Sequence, residues 1–194
     1  MGALGRFDAW EIIALAAGHI AIDIFKVYTL PDRLVSFLTD QALHIITILA
    51  IAFYAPTLYA EGYWANITWL PAVMLLASGF IVTTKAGSHA VKLFFQDQRW
   101  PDIMNNHDSL PNAGRLIGLL ERSLIFILFI AGQPAGIGFL IAAKSVLRFK
   151  ADREQKDTEY VIIGTLASFG WAMVASWGTL LLLRTVNPLG LPCI

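Results

Sequence analysis

Residues 19–44 read HIAIDIFKVYTLPDRLVSFLTDQALH. Two apolar helical stretches meet there through Leu30-Pro31-Asp32. Each carries an imidazole and a carboxylate four residues apart, His19 with Asp23 and Asp40 with His44. A step of four returns to the same helix face, so each pair points one way. At the helical rise, Asp23 and Asp40 stand about 10 and 12 Å from the turn, and His19 and His44 about 16 and 18 Å. The spacing predicts a hairpin with the carboxylates level and the imidazoles level one turn farther on. Ionisable groups at such depth in a bilayer are costly, and they are kept for pairing or for function.

The surrounding chain suits the same medium. Of its 194 residues, 57% are hydrophobic and 14% charged, and the mean hydropathy is +0.63. Soluble domains carry about 25% charged residues. Apolar runs recur that are long enough for a hydrocarbon core of about 30 Å. They predict an all-α membrane protein, with six transmembrane helices in one bundle forming a single polytopic domain over 1–194. The expected helices lie near 9–30, 31–59, 68–85, 113–131, 135–149 and 160–186. Pro56 is expected to kink the second, and the third is expected to continue as an amphipathic piece to 95. Gly132-Gln133-Pro134 marks a break.

Ten Lys and Arg fall on the side of the turn at 30–33, the loop 96–112 and the charged connector 150–159. Two, Arg6 and Arg184, fall on the other side. By the positive-inside rule the loops face the cytoplasm and both termini face away from it. The first residues lack the basic run and cleavage site of a signal peptide. Cys193 is the single cysteine, so no intrachain disulfide forms. No nucleic-acid signature is present.

His19, Asp23, Asp40 and His44 are chemically suited to a divalent metal, Zn, Mn or Fe, because neutral imidazole and ionised carboxylate ligate all three. Two other readings stay open: Asp–His pairs that only hold the hairpin, and a proton relay. On the fourth to sixth helices, Glu121, Arg122, Lys144, Arg148 and Glu159 are expected in the cytoplasmic half. Arg122, Lys144 and Arg148, with Glu159 beside them, could hold an anion such as a phosphorylated small molecule or an anionic lipid headgroup. Glu121 could serve as general base or as a further ligand. The alternative is an internal Glu121–Lys144 salt bridge, with Arg148 snorkelling to the surface. His89 and the His107-Asp108 pair are weaker signals. Gly164, Ser168 and Gly170 read as close helix packing. The phosphate-loop, GxSxG and HExxH patterns are absent from the sequence.

The phrases HIAIDIFK, FLTDQALHIITIL, AGRLIGLLERSLIFIL, GFLIAAKSVLRF and EYVIIGTLASF resemble an uncharacterised bacterial integral-membrane family, a domain of unknown function. The resemblance covers the first two helices and most of 113–171. It implies the bacterial inner membrane and brings no reaction with it. Members often begin with an additional apolar segment bearing its own His-x-x-x-Asp pattern, so the resemblance implies a shortened member. The pairing of His-x-x-x-Asp with Asp-x-x-x-His is also loosely similar to metal-dependent membrane hydrolases.

These observations together lead to the expectation of a metal-dependent membrane hydrolase acting on an anionic or lipid-linked substrate from the cytoplasmic leaflet. The alternatives are a small proton- or ion-coupled carrier of an anionic solute, and a non-catalytic accessory protein. Its expected partners are the lipid bilayer and an anionic lipid or phosphorylated small molecule, and the sequence leaves partner proteins and the oligomeric state open.

Overall fold

The computed structural model describes residues 10–97, 113–148 and 155–186. Among these every regular element is helical. The helices are α1 (Trp10–Thr29), α2 (Leu34–Tyr54), α3 (Leu70–Asp97), α4 (Ala113–Ile130), α5 (Ala135–Arg148) and α6 (Gln155–Val186). Four of them, α1, α2, α3 and α6, are long and apolar enough to cross a membrane. The other two expected spans fall short on these measures. α4 has 18 residues but includes Arg115, Glu121 and Arg122. α5 has 14 residues, about 21 Å of helix against a core of about 30 Å. Most of the loop 96–112, part of the connector 150–159 and the C-terminal tail lie outside the described residues.

The chain divides into two compact units, Met1–Leu70 and Pro71–Ile194. The first is the α1–α2 hairpin with the turns that follow it. Leu30 N–H closes α1 onto Lys26 O, and Arg33 N–H bonds Pro31 O. Arg33 is extended, so α2 begins at Leu34 and not at Pro31. α2 ends at Tyr54 because the residue before a proline is driven out of the helical region. Pro56 therefore follows the helix and does not kink it. At the far end of the hairpin, Trp10 and Tyr54 meet edge to face, with ring centroids 5.7 Å apart. Between the ends, Gly18 lets α1 close on Thr47.

In the second unit α3 is a single long rod interrupted by one π-helical turn, Val82–Ala86. Gly87 N–H bonds Val82 O there, and the Trp171 indole N–H of α6 donates to the same carbonyl at 3.0 Å. The expected amphipathic continuation of the third helix is thus the end of this rod. α4 ends in a left-handed Gly132, φ 69°, with Gln133 N–H on Leu128 O and Gly132 N–H on Phe129 O. This glycine-capped ending turns the chain back into α5. The core joins α4, α5 and α6 through Ile125, Ile137, Phe169 and Ala172, flanked by Leu128, Phe129 and Leu140.

Close approach sets the packing of α3 on α6. A Cβ at Gly79 would collide with the Thr179 side chain, whose hydroxyl is tied to Ala175 O at 2.8 Å and does not swing away freely. Gly138 on α5 has open space around it. Gly79→Val should lower stability by about 1–3 kcal/mol through overpacking. Gly138→Ala should be neutral or stabilising by up to about 1 kcal/mol. Thermal unfolding of the detergent-solubilised protein compares the two.

Candidate metal centre

Three of the four chelating side chains of the hairpin come together. One ligand atom each from His19, Asp23 and His44 lies within 4.8 Å of the others. His19 Nε2 is 3.4 Å from Asp23 Oδ2, and His44 Nε2 is 3.6 Å from Asp23 Oδ1. The two imidazoles meet edge to face at 4.5 Å. His19 and Asp23 share a face because they are one helical step apart, and His44 reaches them from α2. Ligand atoms about 2.0–2.1 Å from a tetrahedral metal stand about 3.3 Å from one another. The two imidazoles approach different oxygens of Asp23 at these distances, and one atom from each residue lies within 4.8 Å of the others, so a bound metal would draw the three closer together.

The tautomer of His44 is fixed by its neighbour. Its Nδ1 lies 2.8 Å from the backbone carbonyl of Asp40. A carbonyl can only accept, so Nδ1 carries the hydrogen and the neutral ring presents a lone pair at Nε2. That nitrogen is buried and has no hydrogen-bond partner. It faces a carboxylate oxygen, an arrangement that is repulsive unless a cation or a second ring proton lies between them. The side chains of His19 and Asp23 are more than half exposed, at 59% and 53%.

Asp40 does something else. Its carboxylate is buried, with 3% of the residue exposed, and Oδ2 accepts from Lys26 Nζ at 2.8 Å and from Gln41 Nε2 at 3.1 Å. Its Oδ1 is unpartnered and lies 3.6 Å from His44 Nδ1. The imidazoles therefore meet as expected, but the two carboxylates take different partners. Level carboxylates would have set Asp23 against Asp40, two like charges. Instead Asp40 faces Lys26, and Asp23 faces His44. Lys26 also stands 6.0 Å from the centre of the Phe37 ring. Lys26 lies one turn before the break at Leu30-Pro31. Its spacing of three from Asp23, which puts both on one face, was the available signal.

A groove of about 320 Å³ runs beside the trio. Its walls are apolar, from Ile12, Leu15 and Ile22 of α1 and Ile48 of α2, with His19 and His44 also in the lining. Its volume is at the small end of ligand pockets.

The remaining candidate residues belong to the second unit. Glu121 Oε2 accepts from Lys144 Nζ at 2.7 Å, the internal pair that was the alternative to a shared anion site. Lys144 also stands 5.3 Å from the Phe169 ring centre. Arg122 points elsewhere and donates to Ser168 and Ser88. Glu159 is exposed near the start of α6. The side chain of Arg148 and the pair His107-Asp108 lie outside the described residues.

Residues 8–70 match a family model described as "Protein of unknown function (DUF3307)". The match ends where the first compact unit ends and contains the trio, Lys26 and Asp40. The resemblance noted over 113–171 lies beyond it. Nothing among curated proteins or solved structures matches the chain.

Removing one partner of a buried ion pair strands the other charge. Lys26→Met should therefore destabilise the protein by about 3 kcal/mol, at the low end of that class because Lys26 is partly exposed. Lys26→Met combined with Asp40→Asn should recover most of the loss. A double-mutant cycle on thermal or denaturant unfolding measures the coupling.

Proposed function

We propose that the hairpin holds a divalent metal on His19, Asp23 and His44, and that the protein is a membrane hydrolase acting on an anionic or lipid-linked substrate. The observation that carries this reading is the lone pair of His44 Nε2. It is buried and unpartnered, and its direction is fixed by Asp40 O. It points at Asp23 beside a second imidazole. Two imidazoles and one carboxylate leave coordination positions open, as catalytic sites do. A metal there supplies an activated water or polarises an ester or phosphoryl oxygen. The hydrogen bond from His44 to Asp40 O holds the ring in the ligating tautomer, the usual role of such outer contacts.

Asp40 supports the centre from behind and, in this reading, is not a fourth ligand while Lys26 holds it. The apolar groove suits one hydrocarbon tail of a substrate whose polar group sits at the trio. The positive-inside count favours termini outside the cytoplasm, with the turn at 30–33 facing in. α4 and α5 then complete six crossings or form a re-entrant pair, and the termini share a side in both cases.

The test is elemental analysis of the detergent-purified protein beside a variant with His19, Asp23 and His44 changed to Ala. Near-stoichiometric Zn, Mn or Fe is expected in the wild type, and about a tenth or less in Asp23→Asn, since even outer contacts cost ten- to a hundredfold. Metal-dependent release of product from phosphorylated or acylated lipids should follow the same order. A wild type that takes up none of these metals would overturn this reading and favour a proton relay.

A further inference from the structure

The second unit contains a buried cation whose environment is built of donors. Arg122 is 3% exposed. Its Nη1 donates to Ser168 Oγ at 2.7 Å, its Nη2 donates to Ser88 Oγ, and its Nε has no partner. Among the described residues no carboxylate contacts it. Its sequence neighbour Glu121 is already paired with Lys144. Both serine oxygens accept from the guanidinium, so their hydroxyl hydrogens must find acceptors elsewhere. Neither hydroxyl donates to any group among the described residues. Three unmatched donors thus surround one positive charge that cannot be neutralised by losing a proton.

Geometry narrows what completes the site. The Nε–H and Nη2 lie on one edge of the planar guanidinium, and Nη2 is bonded to Ser88. Ser168 anchors the opposite nitrogen. Gly118 bears no side chain where a Cβ would lie 3.3 Å from Nη1, so the guanidinium rests against α4. A Cβ at Gly87 would collide with the Trp171 indole and come to 3.1 Å from Arg122 Cδ. The two glycines admit both large side chains beside the π-helical turn of α3. Leaving a buried charge uncompensated is strongly destabilising.

We propose that the Nε edge of Arg122, with the Ser88 hydroxyl, binds a small monovalent anion of the halide or nitrate class. One negative charge neutralises the site. A second, as on phosphate, would itself be buried without a partner. The anion accepts from Nε–H and from the Ser88 hydroxyl, and it links α4 to α3 just past the π-helical turn. The site is independent of the metal centre and uses none of its residues.

The test uses the full-length protein in detergent at constant ionic strength, with sodium gluconate exchanged for bromide, chloride or phosphate. The melting temperature should climb with the logarithm of bromide concentration, as for a ligand of the folded state, and phosphate should give no such rise. Ser88→Ala, which keeps the charge, should weaken the bromide dependence about tenfold by removing a charge-assisted donor. A Glu121→Gln, Lys144→Met double variant should leave it unchanged. If Arg122→Gln folds, it should lose the dependence. If it does not fold, Ser88→Ala and broadening of the chloride-35 resonance by the wild type decide. Equal stability in gluconate and bromide, or a bromide effect untouched by Ser88→Ala, overturns the proposal.

Discussion

The Lys26–Asp40 ion pair sets the level at which α1 and α2 meet. Two apolar helices in a lipid-like medium gain little from sliding to any particular register, because hydrocarbon packs against either face equally well. A buried carboxylate does discriminate. Asp40 can be covered only where a cation reaches it, and Lys26 at 2.8 Å is that cation. With that contact made, Asp23, one turn back along α1, falls opposite His44, one turn on along α2. The Trp10–Tyr54 contact and the close approach at Gly18 are compatible with this register but apolar, and so cannot choose it. The trio follows from the pair.

The second unit handles charge in two ways. Lys144 and Glu121 cancel each other in one short contact, partly enclosed on both sides at 16% and 15% exposure. This is the internal pair that the sequence offered as the alternative to anion binding. Arg122 is next in sequence to Glu121 but about 100° around the helix, and among the described residues it meets hydroxyls and no acid. The π-helical turn lies beside it, and its extra width leaves the Val82 carbonyl able to accept from Trp171 as well as from Gly87. Such turns often mark functional positions in helices.

Much of the architecture was legible in the sequence. Hydrophobic runs and the breaks at Pro31 and Gly132-Gln133-Pro134 located each helix, with ends off by as much as five residues at Tyr54 and Gln155. The end of α2 was missed because Pro56 was read as a kink, although its restriction on Ala55 ends the helix outright. The four-residue spacings correctly put His19 with Asp23 and pointed to facing imidazoles. They could not reveal that Asp40 would turn to Lys26, because register across a turn depends on which charges can neutralise each other and not on distance from the turn. Ser88 and Ser168 gave no signal beyond small-residue packing. A serine that accepts from a buried arginine looks, in sequence, like one that lets two helices approach. The π-helical turn leaves no periodic mark over so few residues. Charge content separates the four apolar helices from α4, a distinction that apolar length alone had blurred.

All the proposed ligands of the metal centre, and the Lys26–Asp40 pair that aligns them, lie between His19 and His44. They sit inside one compact unit and inside the segment that the family model spans. The metal reading therefore does not depend on how the second unit is placed. This separates it from the earlier expectation that Glu121, Arg122 and Lys144 complete the same site. Glu121 and Lys144 neutralise each other, and among the described residues Arg122 donates to Ser88 and Ser168 instead. The three ligands of the proposed metal site lie within one hairpin, so that reading stands or falls with the hairpin's own register. The chemistry of the two units is consequently separable by experiment, which a single composite site would not have allowed.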